Sequence, residues 1–190
     1  MTDIVVLAEE PSGRIVAENL CEQLGFADRA LCLEHEGTSD LERSVPRRIA
    51  GWHGPVLPRF VIMRDNDGAD CRARKAKLNG LVPALAADRV KVRIVMQELE
   101  SWYFGDLDAV AKAGLIDAAK LSKHKNAPRL RNPDSIVHAK EEFKRKIAPG
   151  GQLELARRIG PHLSLTDNRS VSFRRFVEAL KWAAAQRSSP

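Results

Sequence analysis

At 190 residues, 44% hydrophobic and 29% charged, the chain is long enough for one ordinary domain with a real core plus a helical appendage. No apolar run approaches the roughly 18 residues that cross a bilayer, which excludes a membrane-spanning helix, and no basic segment leads into an apolar one as in a signal peptide. The formal charge of +6 is unevenly spread: residues 1–113 carry 15 Lys/Arg against 18 Asp/Glu, residues 114–190 carry 16 against 7.

The first half alternates between strand and helix patterns. Asp3–Ala8 (DIVVLA) is a short β-branched run, and Arg14–Leu24 then places apolar residues at helical spacing up to Gly25. Ala30–Leu33 is a weaker second strand. Ser39 or Asp40 can cap a helix through LERSVPRRIAGW, which Pro46 is expected to interrupt. Phe60–Met63 is the third strand and Gly68–Ala87 a long helix bent at Pro83. Val90–Met96 is the fourth strand, and Glu100–Ala113 returns to helix. Beyond 114 strand signals stop: Pro133–Ile147, Gln152–Ile159 and Val171–Gln186 read as helices, and RSSP as a tail.

Strand and helix repeated four times with short connections predict an α/β fold: a doubly wound, mainly parallel four-stranded sheet flanked by helices, over residues 1–113. Residues 114–190 form a basic, all-helical extension packed on it. That basic half is either a polyanion-binding surface or a solvated helical face kept soluble by charge. Cys21, Cys32 and Cys71 make no C-x-x-C pair and read as free thiols in a reducing cytoplasm.

Nine of the 18 acidic residues of the first half lie just past strand C-termini: Glu9 and Glu10, Glu34 and Glu36, Asp65, Asp67 and Asp70, Glu98 and Glu100. In an open α/β sheet that edge is where ligands bind. Carboxylates gathered there repel unless protonated or bridged by a cation, and oxygen donors suit Mg²⁺ or Mn²⁺. Asp65 and Asp67 at alternate positions of a strand end would point the same way and share an ion. Taken singly, each acidic residue is as readily a helix cap or a solvated loop residue; Asp67 before Gly68 is the candidate cap. DNDGAD is not a calcium-binding EF-hand loop, because its twelfth position is Ala76. His35, amid LEHEG, reads either as a surface turn residue or as a proton shuttle. No glycine-rich nucleotide loop and no G-x-S-x-G occurs.

The order of these motifs resembles the TOPRIM domain of topoisomerases, bacterial primases and overcoming-lysogenization-defect nucleases. EEPS (9–12), HEGTSDL (35–41), PRR…GW (46–52), RDND…DCR (64–72) and ELESWYFGDL (98–107) are similar to a bacterial TOPRIM-like family of unknown function, often encoded beside ATPases in defence-type loci. The resemblance implies Glu9 as the catalytic glutamate, Asp65 and Asp67 as the metal-binding D-x-D, and Glu98 or Glu100 as the acidic residue that nuclease members add. Glu10, His35, Glu36 and Asp70 are accessory candidates. Two positions depart from the pattern: Glu10 stands where a glycine is usual, and Gly13 where an acidic residue is expected. Topoisomerase chemistry needs a catalytic tyrosine, whereas Tyr103 lies on an apolar helix face; primases carry a zinc module, absent here.

The expected function is a cytoplasmic Mg²⁺- or Mn²⁺-dependent nuclease. Glu9, Asp65, Asp67 and Glu100 would be catalytic, and Glu98 would join them as a metal ligand. Arg64, Arg72 and Lys75 would neutralise the scissile phosphate. Lys144, Arg145, Lys146, Arg157, Arg158, Arg174 and Arg175 would track the nucleic-acid backbone. The alternative is a non-catalytic TOPRIM-like partner or regulatory subunit of an ATPase. A receiver-like phosphoacceptor ranks last, since Met96-Gln97-Glu98 fills the place of its Thr or Ser and no fifth strand follows.

Overall fold

Four short apolar runs pair into one all-parallel sheet in the order β2-β1-β3-β4: β1 (Ile4–Ala8), β2 (Ala30–Leu33), β3 (Arg59–Asp65) and β4 (Val90–Val95). The computed structural model describes residues 2–185; Gln186, where the last predicted helix ends, and the RSSP tail lie outside the described residues. Both faces of the sheet are covered, so its strands are apolar on alternate and intervening positions alike. Ile4, Val6, Val61 and Met63 face one layer, with α1 (Pro11–Gln23) and α9 (Val171–Ala184). Val5, Leu7, Phe60 and Ile62 face the other, with α2 (Thr38–Ala50) and α3 (Cys71–Gly80). The chain leaves β1 toward one side of the sheet and β3 toward the other. That divergence opens a crevice at their adjacent C-terminal ends, the usual ligand position in such sheets.

Several helices differ from the sequence expectation. Helix α1 starts at Pro11, whose fixed φ suits a first turn, and α2 continues through Pro46 without interruption. The long helix expected over 68–87 shrinks to α3. Asp67 and Gly68 both adopt positive φ (47° and 72°), and Asp70, not Asp67, caps the helix by accepting from the Arg72 amide at 2.8 Å. After α3 the chain makes a 3-10 turn, Ala84–Arg89, behind Pro83. The helix expected over 100–113 breaks into α4 (Glu100–Gly105) and α5 (Leu107–Lys112). Asp106 breaks it, its carboxylate accepting from the Ala109 and Ser164 amides at 3.0 and 2.6 Å.

Beyond 113, α6 (Ala118–Lys125) was not expected, because AAKLSKHK buries no residue and shows no apolar face. The helix expected over 133–147 becomes a 3-10 turn at Pro133–Ser135, left-handed His138 (φ 53°), and α7 (Ala139–Lys146). Helix α8 (Gln152–Ile159) and α9 fall where their periodicity places them. Leu130, Phe143, Ile159 and Phe176 belong to the same apolar cluster as Val6 and Met63. Trp102 joins the two parts: its ring packs edge-on against Phe173 at 5.2 Å and its Nε1 donates to Ser172 Oγ at 2.9 Å. Among the described residues no helix is long and apolar enough to cross a membrane.

One tight contact yields a stability prediction. Asn168 is buried, donates to the Trp102 carbonyl and accepts from the Ser170 amide, each at 2.9 Å. A Cβ on Gly105 would overlap Asn168 Oδ1 and lie 2.9 Å from the Ser170 nitrogen. Gly105→Ala must therefore displace Asn168 and strand its buried partners. The expected loss is about 3 kcal/mol, a melting temperature lower by about 6–12 °C. Calorimetry showing a change under about 1 °C would contradict this packing.

Candidate active site

Glu9 and Asp65 stand at the crevice between β1 and β3 because each follows or ends an adjacent parallel strand. Glu9 Oε2 accepts the Asp65 amide at 3.0 Å, and Oε1 accepts the Thr38 hydroxyl. Arg64, only 5% exposed, lies 3.9 Å from Glu9 and donates to Glu42 at 3.0 Å and Thr38 at 3.1 Å. Arg64 thus braces Glu9 from behind, with its charge matched by Glu42, and does not reach out to a substrate phosphate. A cavity of about 10 Å³ lies among Glu9, Glu10, Asp65 and Leu99, the size of about one water molecule.

The Asp65 carboxylate accepts the Leu99 amide at 3.4 Å. Burial, and then the charges of Glu100, Glu9, Asp67 and Glu10, push its carboxyl well above the usual range. Glu100 begins α4, is 1% exposed, and keeps Oε2 without a hydrogen-bond partner. Burial pushes it up to about 7, with Glu98 and Glu10 adding to the shift; a backbone hydrogen bond and Lys140 oppose it. The Tyr103 hydroxyl, also buried without a partner, is pushed up by burial and then by the charges of Glu100 and Asp65. Sequence reading took Tyr103 for core alone; only the structure relates its hydroxyl to the acidic edge.

The remaining acidic candidates are otherwise engaged. Strand alternation stops at Asp65, so Asp67 does not share its face: Asp67 is left-handed, exposed, and 3.6 Å from Arg74. Asp70 caps α3, and Glu98 Oε2 accepts the Lys140 amide at the start of α7. Glu10 is exposed, within 3.4 Å of Gln152 Nε2. Glu36 is exposed, its amide bound to Asp40. Gly13 packs against Met63 and Ala8 and supplies no donor. His35 is buried, not on a surface turn: Nδ1 donates to the Ala8 carbonyl and Nε2 pairs with Ser44 Oγ, both at 2.8 Å, so the ring ties β1 to α2.

Among the described residues, no three His, Cys, Asp or Glu side chains are placed closely enough to hold a metal ion as they stand. The donor set nevertheless fits a hard divalent cation. It is all oxygen, it holds mutually repelling carboxylates, and it includes a buried Glu100 oxygen without a hydrogen-bond partner.

The basic candidates divide likewise. Arg145 and Lys146, with Arg129, converge on Glu142. Burial pushes Glu142 up, but hydrogen bonds from those three cations prevail and hold it down at about 2. Arg158 is bound to Glu154 and the Ala113 carbonyl, and Arg174 to the Asn168 carbonyl. Lys144 and Arg157 are exposed, as are Arg72 and Lys75 on α3. Arg175 pairs with Glu178 at 2.8 Å on the exposed side of α9.

A family model described as a domain of unknown function (DUF4276) matches residues 40–181. The C-terminal region of the Burkholderia pseudomallei OLD protein superposes with a TM-score of 0.61 at 15% identity, covering 97% of this chain and 100% of that one. The corresponding region of the Xanthomonas campestris pv. campestris OLD protein gives 0.57 at 17% identity, covering 97% of each chain. The fold is therefore TOPRIM-like, that of an OLD C-terminal region. No curated protein matches significantly.

Proposed function

The chain belongs to the DUF4276 family, and we propose that it is a divalent-metal-dependent phosphodiester hydrolase acting on nucleic acid. The observation that carries this reading is the acidic edge itself: Glu9 accepts the Asp65 amide at the β1/β3 crevice, and Glu100, whose charge bears on Asp65, keeps a buried oxygen unsatisfied. Glu9, Asp65 and Glu100 would hold the cation, joined by Asp67; Glu98, bound to the α7 amide, would orient the turn before α4. A cation held there supplies an acidified water and charge stabilisation for an in-line displacement at phosphorus.

The chain's own residues have separate duties in this reading. Thr38, the Asp65 amide and Arg64 fix Glu9 in one rotamer, so its carboxylate does not reorganise when substrate arrives. Glu100, pushed up to about 7 by burial in the metal-free chain, would give up its proton on holding the cation. The test is incubation of the purified chain with end-labelled single-stranded and duplex DNA and RNA in Mg²⁺, Mn²⁺ or EDTA. Cleavage that needs the divalent ion is expected; absence of cleavage with every substrate and both ions would sink the reading. In that case the non-catalytic partner of an ATPase becomes the better account. Gly13, packed on Met63 where an acidic donor is expected, favours that second reading.

A further inference from the structure

We infer that the cleft along the open edge of β4, between α3 and α9, binds a single strand of nucleic acid and leads it to the carboxylate crevice. The inference rests on the nucleic-acid reading above and adds the path and the strandedness of the substrate. Among the described residues β4 is hydrogen-bonded to β3 alone, which makes it an edge strand. The cleft there has a volume of about 760 Å³. Its floor is apolar, from Val92, Ile94 and Met96, with Val171 at the α9 rim, half of whose surface is exposed.

Cations line it from both layers: Arg72 and Lys75 from α3, Arg93 from the strand, and Arg175 from α9. Arg93 donates to the Arg175 and Val92 carbonyls and shares the charge of Glu178 with Arg175. Arg175 meets only Glu178, on an exposed turn of its own helix. Asp134 also lines the cleft; it accepts from Ser170 Oγ and the Ser172 amide and hydroxyl and keeps its negative charge. Arg129, Arg145 and Lys146, by contrast, are drawn together on one carboxylate, Glu142, and none of them lines this apolar-floored cleft. The cleft thus sets four cations against Asp134 and Glu178, a net positive lining above an apolar floor. Met96 ends the cleft two residues before Glu98, so an occupant runs straight into the acidic turn.

The shape selects a single strand. A duplex is gripped by a convex element entering a groove about 12 Å wide. A concave cleft within the roughly 300–1,000 Å³ of small-ligand sites, with an apolar floor and cationic rims, instead suits unstacked bases below and phosphates above.

Fluorescence anisotropy of a labelled 12-nucleotide oligo-dT with the full chain in EDTA isolates binding from hydrolysis. Four phosphate contacts predict a salt slope near −3 and about 50-fold weaker binding at 200 mM than at 50 mM salt. Arg72→Glu with Lys75→Glu, both exposed, should weaken binding at least about tenfold and cut the salt response to about sevenfold. Lys112→Glu with Lys120→Glu makes the same charge change elsewhere and should leave binding unaltered. A variant at 72 and 75 that binds like the parent overturns the cleft, as does a duplex of equal length binding as tightly, or no oligo-dT binding at 50 mM salt. If the strand binds through Arg72 and Lys75 yet no divalent ion elicits cleavage, the hydrolase reading fails and the cleft stands. If cleavage proceeds undiminished in that variant, the reverse holds.

Discussion

Asp65→Asn with Asp67→Asn lowers divalent-metal-dependent cleavage by about 10³-fold and leaves the fold intact. The reason lies in what surrounds Asp65. Its carboxyl is buried and faces the charges of Glu100, Glu9, Asp67 and Glu10, an arrangement that costs folding free energy unless a cation or proton offsets it. Asparagine keeps the shape and an oxygen for the Leu99 amide while removing the charge. Repulsion is relieved, so melting should not fall, whereas a hard cation loses its central anionic donors. Activity and stability therefore move in different directions, which a merely misfolded variant cannot mimic. Glu98→Gln is the contrast. Its oxygen still accepts the Lys140 amide, so activity should fall far less. Retention of full activity by the double variant, measured on end-labelled substrate, would remove Asp65 and Asp67 from the mechanism.

The sheet was legible because parallel strands buried on both faces read as short, nearly continuous apolar runs. DIVVLA, FVIM and VKVRIVM stand out from the charged helices between them, whereas the order β2-β1-β3-β4 comes from the structure alone. Glu9 and Asp65 were equally legible, since a residue immediately past a parallel strand cannot lie far from the crevice. Farther from the strand, legibility fails for a definite reason. An aspartate that caps a helix and one that faces a metal are the same residue type, and the backbone angles that decide between them are set by neighbours. Asp67 turns left-handed beside Gly68 and meets Arg74; Asp70 takes the cap; Glu98 is claimed by α7, 42 residues downstream. The basic runs depend on their neighbours in the same way. In KRK (144–146), Arg145 and Lys146 pair with Glu142, which Arg129 also meets, while Lys144 stays exposed. Arg93, in an apparently ordinary strand, becomes the cation at the open sheet edge. His35 changes from a turn residue to a buried tie because Ser44 and the Ala8 carbonyl, distant in sequence, take both ring nitrogens.

Glu100→Gln should raise the melting temperature of the metal-free chain at pH 8 by about 6–12 °C and change it little at pH 5. In the folded chain Glu100 titrates at about 7, against an ordinary 4.5. A carboxyl raised on folding contributes stability below its unfolded value and loses it as pH climbs through the folded one. The folded chain therefore keeps a proton at Glu100 that the unfolded chain releases, and between about pH 4.5 and 7 that difference costs about 3 kcal/mol. At 1% exposure little solvent screening reduces it. Asp65, raised by the same neighbours, acts with the same sign. Glu142, held at about 2, has the opposite sign and weakens the fold only in acid, below about pH 4.5, outside this window. The comparison of parent with variant across pH isolates the Glu100 contribution. Millimolar Mg²⁺ or Mn²⁺ adds a second reading without any activity assay. A cation that offsets the buried charge should raise the parent's melting temperature more at pH 8 than at pH 5, and should do so far less in Glu100→Gln. Parallel pH curves for parent and variant would show that Glu100 is solvated. Equal stabilisation of both by the cation would place the metal elsewhere on the chain.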